Sequence, residues 1–189
     1  MAHSRLRRLA AEAACVSTLA GAGLAAIGVA SASAATGTAS YTCSLTGIIP
    51  LTEAGALSVT APVSGAAGST VAVGITAPQG TATSPVAITS LSISGAAAVS
   101  GDGPVTTLAF SGTSGPSAAG SAPPAVPTAE TLTLPRQGRA VRVTLPASYN
   151  LSINLVFGTE SGTCTTTSPG SVTVAVICLP RGGHVARRE

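Results

Sequence analysis

The sequence predicts an all-β protein, an antiparallel β-sandwich of immunoglobulin-like architecture that follows an N-terminal secretory signal. Three observations point to that fold class. Val leads the large apolar residues and Thr and Ser fill the gaps, while Lys and Trp are absent and Met occurs once. Such β-branched composition fits a pleated, half-buried surface better than a helix turn. Apolar residues also recur at every second position in short runs, and Gly-, Pro- and Ser-rich turn signals separate those runs. A jelly roll or an open barrel is the alternative, because strand order is not written in one sequence.

Residues 1–34 read as the secretory signal. Arg5, Arg7 and Arg8 form a positive n-region, and Val16 to Val29 is an uncharged stretch of small and apolar residues. Ala32-Ser33-Ala34 supplies the small residues that a signal peptidase needs, so cleavage is expected before Ala35, with Ala30-Ser31-Ala32 as a second candidate. The apolar run is shorter than the ~20 residues a bilayer requires, so no membrane span is expected after cleavage. The expected location is therefore secreted, either extracellular or associated with the cell wall.

Residues 35–180 carry the alternation of the sandwich domain. Tyr41, Cys43 and Leu45 share one face, and Leu57, Val59, Ala61 and Val63 another. Val71, Val73 and Ile75 follow. Val86 and Ile88 open a strand whose apolar parity shifts to Leu91 and Ile93, as a bulge would cause. Leu108 with Phe110, and Leu132 with Leu134, give two shorter candidates. Val141, Val143 and Leu145 precede Leu151, Ile153, Leu155 and Phe157, and Val172, Val174, Val176 and Cys178 close the series. Eight or nine short strands with one polar face each describe two packed sheets. Residues 112–129, small, Pro-rich and uncharged, read as a long loop or internal linker. Residues 181–189 read as a disordered tail. Leu179-Pro180-Arg181-Gly182-Gly183 is like a sortase signal but lacks its Thr, and no apolar span follows it.

Composition then limits function. Beyond the signal there is one His, His184, and the carboxylates before the terminal Glu189 are Glu53, Asp102, Glu130 and Glu160. With so few titratable partners for its many Ser and Thr hydroxyls, the chain is expected not to be an enzyme, and no cofactor or metal site is expected. A cryptic hydrolase would need two of those carboxylates close together, but each sits beside turn residues or at a strand end, where a solvated carboxylate is expected. Six arginines against five carboxylates leave the mature chain at +1, too little to steer it to nucleic acid or anionic membrane. Arg136, Arg139 and Arg142 flank the Gln137-Gly138 turn as a possible anion patch, since Arg grips phosphate or carboxylate bidentately. The plainer reading is a solvated hairpin that discourages edge pairing. A ligand cleft would need Arg136, Arg139 and Tyr149 together. Phe110 and Phe157 have the parity of packing residues, and the Asn150-Leu151-Ser152 sequon reads as a chance match.

Three cysteines remain after cleavage, and an oxidising exterior favours one disulfide with one thiol left over. Cys43–Cys164 is preferred, because closing a loop of about 120 residues is worth roughly 4–5 kcal/mol by chain entropy. Cys164–Cys178 is the alternative, a local staple worth nearer 3 kcal/mol on the same basis. The parity of Cys178 with three valines reads as a small buried hydrophobe.

The Tyr41-Thr42-Cys43 opening, the Val/Thr/Ala/Pro strands and the late Gly162-Thr163-Cys164-Thr165 give the mature chain a resemblance. It resembles exported domains of high-GC Gram-positive, actinobacterial proteins, a family without an assigned activity. The likeness covers most of residues 39–180 and implies a β-sandwich and an exported location, and it adds no site. Together these readings describe an exported structural or interaction domain, its partner a cell-envelope polymer or another exported protein. The competing expectation is a binding module for an anionic or glycan cell-wall polymer.

Overall fold

The computed structural model describes residues 34–47, 51–102, 104–167 and 173–179. The expected signal up to Ser33 and the expected tail 181–189 lie outside the described residues.

Ten strands and no helix make up the described chain. They are β1 (Ala34–Thr46), β2 (Leu51–Pro62), β3 (Thr70–Ala77), β4 (Ile88–Ser100) and β5 (Thr106–Ser114), then β6 (Val126–Thr133), β7 (Ala140–Thr144), β8 (Ser148–Leu155), β9 (Gly158–Thr166) and β10 (Thr173–Cys178). Every ladder between these strands is antiparallel. The all-β, antiparallel expectation holds. The strands nevertheless form one hydrogen-bonded set rather than two separate sheets, in the order β10-β7-β4-β8-β9-β1-β2-β3-β6, with β5 on the other edge of β4.

That set curls on itself. β4 pairs through its first half with β8 and through its end with β7, while β5 runs along its opposite edge. The edge strands β5 and β6 then abut. The Ser111 amide donates to Glu130 Oε1 at 3.3 Å, and a Cβ on Gly112 would stand 2.7 Å from the Pro127 carbonyl. At the other end, the Cys178 amide donates to the Val63 carbonyl at 2.8 Å, tying β10 to the chain that leaves β2. Alternate residues of the strands therefore point into one enclosed core. Tyr41, Leu57, Ile75, Ile93, Phe110, Val143 and Ile177 belong to that single cluster. Period-2 patterning is the cause, since each strand offers one apolar face and the curl gives all of them the same interior.

Most of the predicted parity is met. The shift in β4 is real, because its register against β8 breaks between Ile88 and Ser90, and Ile88, Leu91 and Ile93 are all buried. β9 is the strand that sequence alternation did not predict. Its only apolar side chain is Cys164, so it offered no apolar alternation to read.

The proposed 112–129 loop needs correction at both ends. β5 continues to Ser114 and β6 begins at Val126, so the connection is shorter. It is also not a free linker, for it is laced to residues 80–88 by backbone bonds. Ile88 and Ser117 exchange both bonds at 3.0 Å, Ser84 accepts from Gly120 and donates to Ser121, and Gly80 donates to Pro123. Pro-rich composition predicts missing donors, but here the Ser and Gly residues between the prolines supply them.

Candidate functional site

The polar halves of the same alternations meet on the outside of the sheet. β5, β4, β8, β9 and β1 are consecutive neighbours, and their registers align two rows of hydroxyl and amide side chains across all five. One row runs Ser111, Ser94, Asn150, Thr163 and Ser44. The other runs Thr113, Ser92, Ser152, Ser161 and Thr46. The rows line an open groove of about 740 Å³ with no charged residue in its wall.

A third row shows how such groups behave when they satisfy one another. The Asn154 amide donates to Ser90 Oγ at 2.8 Å, and Thr159 Oγ1 donates to Asn154 Oδ1 at 2.7 Å. In the groove itself the side-chain bond is from Thr46 Oγ1 to the Ser161 carbonyl at 3.2 Å. Ser92, Ser94, Asn150, Ser152 and Thr163 make no side-chain hydrogen bond within the described residues. Sequence reasoning passed over these rows because it tracked apolar parity. Their signal was present as Ser90/Ser92/Ser94, Asn150/Ser152/Asn154 and Thr159/Ser161/Thr163, the opposite phase of three strands. Asn150 and Ser152, met first as a chance sequon, are two of the wall residues.

On the inner side of the same strands lies the disulfide. Cys43 and Cys164 are direct partners across β1 and β9 and form the bond, which closes a separation of 121 residues. The long-range pairing is therefore the one made, and the Cys164–Cys178 alternative is excluded. Cys178 is half-buried and not free, contrary to its expectation as a buried thiol. Tyr149 packs beside the bond with its hydroxyl 3.8 Å from Cys43 Sγ, and meets Tyr41 edge to face at a centroid distance of 5.0 Å. The Tyr41 hydroxyl donates to the Pro146 carbonyl at 2.7 Å. Burial pushes both phenols up to about 12, with the neighbouring Tyr41 adding to the shift at Tyr149.

The arginines are placed differently. Arg136 and Arg139 are exposed in the β6–β7 connection, whereas Arg142 stands half-buried on β7 opposite Ser100 and Val176. Arg136 lies across the turn at Gly68, where a Cβ would be 3.2 Å from its Cγ. Asp102 accepts the Arg139 amide at 3.0 Å, so an acid stands at the same turn. Tyr149 is buried and faces the disulfide, which leaves no cleft combining it with Arg136 and Arg139.

The carboxylates stand on separate elements: Glu53 on β2, Asp102 after β4, Glu130 on β6 and Glu160 on β9. Glu130 and Asp102 are each engaged by a backbone amide. Glu160 departs from the solvated position expected of it, for it is buried at 3% exposure beside Gly47. Its parity with Gly162 and Cys164 carried that signal. Phe157 departs the other way. It and Val156 form the exposed two-residue tip between β8 and β9, at 52% and 68% exposure, so Phe157 is not a packing residue.

Among the described residues no helix is long and apolar enough to cross a membrane. Compared with known proteins, the chain matches no family model, no curated sequence and no solved structure.

Proposed function

We propose that this chain is an exported structural or interaction domain, of the kind the actinobacterial resemblance implies, working at the cell envelope or in the surrounding medium. The observation that carries the reading is the Cys43–Cys164 bond, with both cysteines at 1% exposure or less. A staple in the centre of the core is useful only where thiols stay oxidised, which favours an extracytoplasmic compartment. Function then lies in surface contact on a rigid scaffold, with the signal removed on export.

The test is direct. Expressed with residues 1–34 in a secreting Gram-positive host, the protein should appear in the medium or wall fraction, start at Ala35 by N-terminal sequencing, and yield linked Cys43 and Cys164 peptides without reductant. Recovery in the cytosol with the first 34 residues attached and Cys43 open to alkylation would overturn the proposal.

A further inference from the structure

We infer that the groove across β5, β4, β8, β9 and β1 is a binding site for an uncharged, polyhydroxylated chain, a neutral glycan segment. The wall chemistry selects this class. Its outward side chains are Ser, Thr and Asn, with the backbone of the inward-facing row at Gly112, Ile93, Leu151 and Gly162 between them, and no Arg, Asp or Glu takes part. An anionic polymer would gain no Coulombic attraction there, and the arginines lie on the β6–β7 connection and β7 instead. A hydroxyl both donates and accepts, and an amide offers two donors and an acceptor, which is the repertoire a sugar ring presents in return.

Geometry adds a repeat. Neighbouring strands lie ~4.7–4.9 Å apart, so each row offers one hydrogen-bonding group at about that interval across five strands. The interval is close to the length of one pyranose ring in an extended glycan. Two parallel rows can therefore grip both edges of one chain laid across the strands. These groups are held on paired backbone and have short side chains, so little order is lost when a ligand arrives. Ser92, Ser94, Asn150, Ser152 and Thr163 among them are also unspent, unlike the Ser90–Asn154–Thr159 row beside them. No aromatic platform lines the groove, so binding of a short oligosaccharide is weak and grows with chain length.

The experiment titrates the purified, isotope-labelled mature protein with linear uncharged oligosaccharides of β-linked glucose and of N-acetylglucosamine, and with dextran sulfate as the anionic comparison. The expected result is saturable amide shifts confined to Ser92, Ser94, Ser152, Gly162 and Thr163 with a neutral oligosaccharide, unchanged by added salt. The Asn150→Leu/Thr163→Val variant should weaken that binding about tenfold or more. Thr131→Val, exposed on β6 and not part of the groove wall, should not. If the double variant loses its dispersed spectrum, Ser152→Ala replaces it and must weaken binding alone. No shift with either neutral series overturns the inference, as do shifts elsewhere or equal loss in Thr131→Val. Salt-sensitive binding of dextran sulfate alone overturns it too and assigns an anionic partner. Because the protein is purified, this result does not depend on whether export occurs as proposed above.

Discussion

Gly55 shows how tightly single residues are specified around the staple. It sits on β2 opposite Tyr41, and a Cβ there would be 2.8 Å from Cys43 Sγ and 3.1 Å from the Tyr149 hydroxyl. Neither neighbour is the loose end of a long side chain, for one is bonded to Cys164 and the other is wedged against Tyr41. Gly55→Val should therefore cost about 1–3 kcal/mol as overpacking. Urea denaturation reads it, and an unchanged midpoint would mean the site yields freely. The two phenols make a second prediction with a definite sign. Their ordinary value is 10 and burial lifts both to about 12, so the folded state prefers them neutral. Above pH ~10 the unfolded chain ionises first, and the stability present below that pH is lost as pH rises toward ~12. The urea midpoint should fall between about pH 10 and 12, and Tyr41→Phe/Tyr149→Phe should flatten that fall. An equal fall in the double variant would assign it to other groups. Parity made Tyr41, Cys43 and Leu45 legible as inward residues, but Tyr149 entered only as a residue that a ligand cleft with Arg136 and Arg139 would need. Only the packing of β8 against β9 turns it toward the disulfide.

Elements were legible in proportion to their apolar content. β2, β3, β4 and β7 carry Val, Ile and Leu in phase and were predicted with their inward faces. β9 is GTESGTCTT, and its place is set by neighbours on both sides rather than by its own residues. Gly162 is required there because a Cβ would run into the Ser44 backbone of β1. A local sequence has no way to announce that approach. The connection from residue 115 to 125 misled for the opposite reason, since its Pro, Ser and Ala read as loose chain although its backbone groups are paired. Hydrogen exchange separates these readings. Amides of Gly80, Ser84, Ile88, Ser117 and Gly120 donate to backbone carbonyls across the two segments and should exchange markedly more slowly than those of Gly115 and Ala119. Uniform fast exchange over the whole stretch would restore the linker reading.

At the scale of the whole molecule, the ladders are long-range and the staple decides how much of their closure entropy is already spent. β1 lies between β9 and β2 near the middle of the strand order, yet Cys43 and Cys164 are 121 residues apart in the chain. Bringing them together without a bond means ordering most of the described domain before the central ladder rewards it. The composition made this pairing readable as the better of two, because chain entropy ranks the long loop above the short one. The strand order that brings the two cysteines opposite one another was not readable, since it depends on β9 inserting between β8 and β1. Cys43→Ala/Cys164→Ala should therefore lose about 4–5 kcal/mol by chain entropy alone. A domain of this size has a total of only ~5–15 kcal/mol, so the variant should be marginal or unfolded near body temperature. The loss should fall mainly on the folding rate if β1 and β9 pair in the transition state, and on the unfolding rate if they pair afterwards. Denaturant-jump kinetics on both proteins measure the two limbs. An equilibrium loss below about 1 kcal/mol would mean that the curled sheet closes without its staple, and that the bond is redundant for folding.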